Sequence, residues 1–117
     1  MGFLCVYRPP GITDAVDLRL VDLLSAFLDM NFVNNVIIGD FNMPSVNWKT
    51  LTAPARFTPF LQICTNYYLK QNVNVATRPS SEAILDLIFT TIGTNICSIS
   101  IDETFGSSDH SVITFLY

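Results

Sequence analysis

The chain has 117 residues, half of them apolar and only 14% charged, with a formal net charge of -4 at pH 7 and a mean hydropathy of +0.40. That length fits one domain around one core. The acidic balance excludes a stand-alone nucleic-acid binder that relies on its own Lys and Arg to displace counterions. It leaves room for an enzyme of phosphate esters whose bound metal supplies the positive charge. A spanning helix is excluded too, because Arg8, Asp22, Asp29, Asp40, Asp86 and Asp109 interrupt every apolar run short of the roughly 18 residues it requires. The opening MGFLCVYRPPG has no basic segment and too short an apolar stretch for a secretion signal, so a nuclear or cytoplasmic, non-secreted protein is expected. Cys5, Cys64 and Cys97 are odd in number, far apart and set among apolar neighbours, which predicts reduced core thiols. The high apolar content also predicts a sheet that packs against something further.

Along the chain, Phe3–Tyr7 is a short apolar run stopped by Arg8-Pro9-Pro10-Gly11, as a buried strand entering a loop would be. Thr13 then suits a helix N-cap, with Asp14 and Asp17 in the first turn. Val16, Leu20, Leu23, Leu24, Phe27 and Leu28 follow at helical spacing, so a helix is predicted to end near Met30. Asn35–Gly39 reads as a fully apolar strand whose exit is the polar loop Asp40-Phe41-Asn42-Met43-Pro44. Pro54 can open a second helix carrying Phe57, Phe60, Leu61, Cys64 and Tyr68 on one face. Val73–Thr77, Ile84–Thr90, Ile96–Ile101 and Ser111–Tyr117 are rich in β-branched and aromatic residues and read as strands. The order βαβαββββ predicts an α/β fold, one mixed β-sheet with two helices on one face.

Three places could carry chemistry. Asp40 and Asn42 stand two residues apart at the exit of a buried strand, where open α/β sheets bind ligands. The alternative is an Asx turn in which they bond only the local backbone. Ser107-Ser108-Asp109-His110 holds the one histidine, which can donate to a phosphate oxygen or be merely solvated. Asp86 lies inside Ile84-Leu85-Asp86-Leu87-Ile88-Phe89, apolar on both faces, where an ionised carboxylate needs a partner. His110 is the available imidazole, with backbone or hydroxyl partners as the alternative. Tyr7 and Arg8 leave the first strand where both could face a phosphate, and Trp48 reads as a packing residue.

Taken in order, Tyr7-Arg8-Pro9-Pro10, Gly39-Asp40-Phe41-Asn42 with Asn47-Trp48, Thr77-Arg78, Leu85-Asp86-Leu87-Ile88-Phe89-Thr90 and Ser108-Asp109-His110 resemble the C-terminal half of the endonuclease/exonuclease/phosphatase superfamily. GDFNMPSVNW, LDLIFTT and SDHS are most similar to the domain ahead of the reverse transcriptase in non-long-terminal-repeat retrotransposons. The resemblance implies half of a four-layer α/β sandwich, with residues 1–117 as the C-terminal part of the domain and the N-terminal half missing. It implies a Mg²⁺- or Mn²⁺-dependent phosphodiester hydrolysis, a DNA-nicking reaction, with DNA and a downstream reverse transcriptase as partners in the parent protein. By that resemblance Asp40 would orient or deprotonate the water, and Asn42 would hold the phosphate or help bind metal. Asp109 would lie at the metal with Asp40 and Asn42, His110 would stabilise charge on a phosphate oxygen, Asp86 would fix the imidazole, and Tyr7 would contact the phosphate.

The chain departs from the pattern in lacking the Asn and Glu that the family's first half supplies to the metal, since Glu82 and Glu103 stand in late loops. Self-association through an uncovered sheet face, and inactivity of the chain alone, are therefore expected. Two alternatives stay open: a phospholipid or inositol-phosphate phosphodiesterase of the same superfamily, and a non-catalytic or vestigial interaction domain.

Overall fold

The computed structural model describes residues 1–117. The chain runs β1 (Gly2–Tyr7), α1 (Asp14–Asp29), β2 (Asn35–Asp40), α2 (Thr58–Asn66), β3 (Lys70–Gln71), β4 (Asp86–Thr90), β5 (Ser98–Thr104) and β6 (Ser111–Leu116), with single 3-10 turns at Ala55–Phe57 and Pro79–Ser81. No helix is long and apolar enough to cross a membrane.

Four strands form a mixed sheet in the order β1-β2-β4-β3. The α1 crossover brings β2 parallel to β1, and β4 runs antiparallel to both β2 and β3. Helix α1 starts where its chemistry directs: the Thr13 side chain accepts from the Val16 N–H, and Asp14 and Asp17 occupy the positive end of the helix dipole. Leu20, Val21, Leu24, Phe27 and Leu28 turn inward, whereas Val16 and Leu23, expected on the same face, are exposed. With Phe60, Ile63 and Cys64 of α2 they pack on Val6, Ile37, Leu87 and Phe89. Phe41, Phe60, Phe89 and Trp48 close that core, edge to face except for the tilted pair Phe41–Phe60, with ring centroids 5.4 to 6.2 Å apart. Burying each phenylalanine contributes roughly 2–3 kcal/mol. The α/β class, the mixed sheet and the placing of both helices on one of its faces all match the sequence pattern.

The sheet count differs. In place of one sheet there are two, since β5 and β6 pair only with each other as an antiparallel hairpin. Ile99 stands opposite Phe115 and Ile101 opposite Ile113, so one side of the hairpin is an apolar row. That row lies on Val36, Ile38, Val73 and Ile88, on the sheet face away from the helices. Joining the sheet at its edge would have left the row in water. The molecule is thus three layers: helices, four-stranded sheet, hairpin.

The expected strand at Val73–Thr77 is also absent. Ladder pairing stops at Gln71, whose side chain accepts from the Val73 N–H at 2.6 Å and donates to the Val73 carbonyl at 2.7 Å. Asn72 likewise spends its side-chain amide on the Ile88 carbonyl. Local side-chain bonds here replace the ladder. Of the three thiols only Cys64 is buried, and burial pushes it up to about 12; Cys5 and Cys97 are exposed, which corrects the expectation of three core thiols. Cys5 points away from the helices between Phe3 and Tyr7, in a row the hairpin does not reach.

Candidate active site at the sheet rim

The site is built by register. Tyr7 pairs with Asp40 across the parallel β1/β2 ladder, and Asp40 pairs with Asp86 across the antiparallel β2/β4 ladder. Residues directly opposite in a ladder project to the same face. The three side chains therefore stand in one row at one end of the sheet, on the face that carries the hairpin. Gly39 makes the approach of β1 and β2 possible just before Asp40. Its φ is +152°, and a Cβ there would sit 1.8 Å from the Val6 carbonyl oxygen.

His110 reaches the row from the start of β6. Its Nδ1 lies 2.8 Å from Asp86 Oδ2. A carboxylate only accepts, so Nδ1 donates and Nε2 is left facing the open side of the site. Asp109 lies beyond Nε2, its Oδ1 3.8 Å away and its side chain largely exposed. The ligand atoms of Asp40, Asp86 and His110 all fall within 4.8 Å of one another. Beside them a cleft of about 210 Å³ opens between sheet and hairpin, lined by Ile38, Asp40, Asp86, Ser111, Ile113 and Phe115.

Burial, and then the neighbouring Asp86 charge, push the Asp40 carboxyl above its usual range, against the opposing pull of His110, the Asn42 N–H and Arg78. One oxygen of Asp40 accepts from the Asn42 N–H at 3.1 Å, so the Asx turn is formed and the second oxygen stays available. Asn42 itself is left-handed, φ +46°, with its side-chain amide unbonded within the chain. Two carboxylates crowded together at this rim are electrostatically costly, and a hard divalent cation with oxygen preference relieves that cost. Asp40 and Asp86 with His110 thus form an acidic group suited to such an ion. Asp109 and Asn42 flank the group and do not join its closest set.

Tyr7 lies in the row, 72% exposed, and its phenol makes no hydrogen bond within the chain. Arg8, read from the sequence as a possible phosphate contact, is turned inward and only 5% exposed. It forks onto Asp17 at 2.6 and 3.0 Å and donates to the Asn42 carbonyl at 2.8 Å. Proline residues at 9 and 10 send the chain outward while the guanidinium stays behind. Trp48 is a packing residue, edge-on to Phe60 and Phe89.

The residue whose part was not visible in the sequence is Thr77. Fully buried, its hydroxyl accepts from the N–H groups of Leu85 and Asp86 at 3.0 and 3.1 Å, and its carbonyl accepts from the Ser111 N–H at 2.7 Å. It ties the start of β4 to the start of β6, the two places that supply Asp86 and His110. A threonine followed by Arg-Pro signals only a turn, so the sequence offered a position without a role.

At one end of this α/β sheet, strand ends thus gather two carboxylates and an imidazole beside a cleft, with ligand atoms close enough together to hold a metal ion. The chain belongs to the endonuclease-reverse transcriptase family, whose model matches residues 1–114. That membership establishes the family resemblance drawn from the GDFN, LDLIF and SDH blocks. No curated protein and no solved structure matches the chain.

Proposed function

We propose that this chain carries the phosphate-cleaving rim of a Mg²⁺- or Mn²⁺-dependent endonuclease that nicks DNA for a retrotransposon, and that residues 1–117 are the C-terminal part of that domain. The observation that carries this reading is the convergence of Asp40, Asp86 and His110 in a chain of the endonuclease-reverse transcriptase family. Phosphodiester hydrolysis needs a water aligned against the leaving oxygen, charge relief on the phosphoryl oxygens and a proton for the leaving group. The available Asp40 oxygen orients and deprotonates the water, and the water oxygen bonds to phosphorus as the bridging P–O bond breaks and the departing oxygen takes a proton from solvent. Asp86 holds the His110 ring so that Nε2 faces the phosphate oxygen that gains charge. Asn42 offers its amide, and Tyr7 its phenol, to the other oxygens. A divalent ion held by the acidic group at Asp40, with Asn42 and Asp109 flanking it, would supply the Lewis-acid charge that this acidic chain does not.

DNA and a downstream reverse transcriptase would be the partners, with action in the nucleus or cytoplasm. Phe3, Cys5 and Tyr7 line an uncovered row beside the site, which supports a second layer contributed by the preceding part of the domain. The test is nicking of supercoiled plasmid in Mg²⁺ by the chain extended at its N-terminus. Nicking lost on Asp40→Ala and on His110→Ala is expected, and nicking unchanged in both variants rejects the assignment. Cleavage of phospholipid or inositol phosphate with none of DNA would move the substrate class, and absence of any turnover would favour an interaction domain.

A further inference from the structure

We propose that Arg8 is a positioning residue for the Asp40–Asn42 turn, acting from beneath it through the Asn42 carbonyl, and that Asp17 and Arg56 hold it in that role. The turn ends on a left-handed residue, Asn42 at φ +46°, a conformation that asparagine tolerates better than other residues with a Cβ and that its hydrogen-bond partners hold in place. From the rim side, Asp40 Oδ1 and the Leu85 carbonyl share the Asn42 N–H. From below, Arg8 Nη1 donates to the Asn42 carbonyl at 2.8 Å and to that of Phe41 at 3.4 Å.

The guanidinium can do this because every other face of it is occupied. Asp17 takes Nε and Nη2 in a fork, and the ring of Phe57 covers the plane, its centroid 5.3 Å from the Arg8 guanidinium carbon. Asp17 also accepts from Arg56, which stacks on the same ring at 5.1 Å. Arg56 is a third exposed and pairs with Asp14 as well, at 3.3 Å, so the charges balance; what remains is the buried Nη1 donor of Arg8, and a buried charged donor needs carbonyl oxygens to receive it. The carbonyls supplied are those of the turn. A lysine has one compact head and cannot span carboxylate and carbonyl together. The rim thereby depends on α1 and on the 3-10 turn, neither of which contributes a side chain to it.

The part of this inference that concerns ion binding rests on the proposed endonuclease reading, so two readouts are separated. Mn²⁺ is titrated into the full chain and into Arg8→Lys with electron spin resonance of the free ion, and the Asn42 amide is followed by ¹H–¹⁵N NMR against the sheet amides of Ile37 and Phe89. Arg8→Lys is expected to move the Asn42 amide, leave the two sheet amides in place and weaken Mn²⁺ binding by about ten- to a hundredfold, the cost usual for residues that orient a metal site from outside. An unmoved Asn42 amide with unchanged Mn²⁺ affinity and only a lower melting temperature overturns the proposal. If the unsubstituted chain binds no Mn²⁺, the cation site at Asp40, Asp86 and His110 is what fails, and the Asn42 amide alone decides for or against Arg8. If Arg8→Lys does not fold, Asp17→Asn, which keeps both arginines and loosens the fork, takes its place with the same expected and contrary results.

Discussion

The two faces of the four-stranded sheet are finished to different degrees. On the helix side, Phe41, Phe60, Phe89 and Trp48 interlock under α1 and α2, and the aromatic core is closed. On the other side the β5–β6 hairpin covers β2 and β4 and stops short of β1, whose Phe3, Cys5 and Tyr7 face water. The polar row Tyr7, Asp40, Asp86 belongs to this second, part-covered face. The packed aromatic core is therefore on one face and the acidic group on the other, and substitutions should separate the two.

The largest effect is expected from the closed face. Phe89→Ala removes the ring around which three others pack and should cost about 3–5 kcal/mol, read as a collapse of the urea midpoint. A loss below about 1 kcal/mol, the level of an ordinary substitution, would mean that the helix side is not the source of stability. Next, His110→Ala in the extended domain should lower nicking by about a hundredfold or more with little change in that midpoint. Equal losses in both would blur the distinction between the faces.

The carboxylates sharpen the comparison with opposite signs. Burial alone would raise Asp17, yet the bonds from Arg8 and Arg56 outweigh it and hold the carboxyl below its usual 3.8. Its contribution to stability is thus full above 3.8 and is lost as the pH falls through the lower folded value. Asp40, raised by burial and by Asp86, behaves in reverse. Its contribution is full below 3.8 and is lost as the pH rises through the raised folded value, so at neutral pH the ionised group is a burden. Thermal melts across the acidic range should show Asp17→Asn losing stability mainly at neutral pH. Asp40→Asn should gain slightly there while abolishing nicking, as expected where function opposes stability. Melts in which both variants shift the same way would contradict these environments. The smallest effect belongs to Phe3→Ser, within about 0.5 kcal/mol in stability but reducing self-association in sedimentation velocity. Association unaltered by Phe3→Ser would show that the uncovered row is not what draws copies together.

What could be seen in the sequence was local or forced. Helix α1 was legible because Thr13, Asp14 and Asp17 mark its start and its apolar spacing is internal to it. The Asp86–His110 contact was legible because a carboxylate in a strand apolar on both faces needs a partner, and the chain holds one imidazole. The stacking of the hairpin was not, because alternation at Ile99, Ile101, Ile113 and Phe115 tells which residues share a face and not which sheet they face. The loss of the strand at Val73 depended on Gln71 and Asn72 bonding backbone with their side chains, a choice that composition does not reveal. Arg8 misled for a similar reason: a guanidinium beside two prolines suits a phosphate equally well, and Asp17 already had a sufficient role at the helix N-terminus. Cys5 and Cys97 have apolar neighbours in sequence and open water in space.

Paramagnetic broadening by Mn²⁺ tests the central claim most directly, because it reports which nuclei share one ion. Substoichiometric Mn²⁺ added to the ¹⁵N-labelled chain should broaden the amides of Asp40, Asp86 and His110 together, with recovery on chelation and none of the effect in Asp40→Ala. Broadening confined to other acidic positions such as Asp14 or Asp102, or none at all, would contradict a shared cation site at the sheet rim.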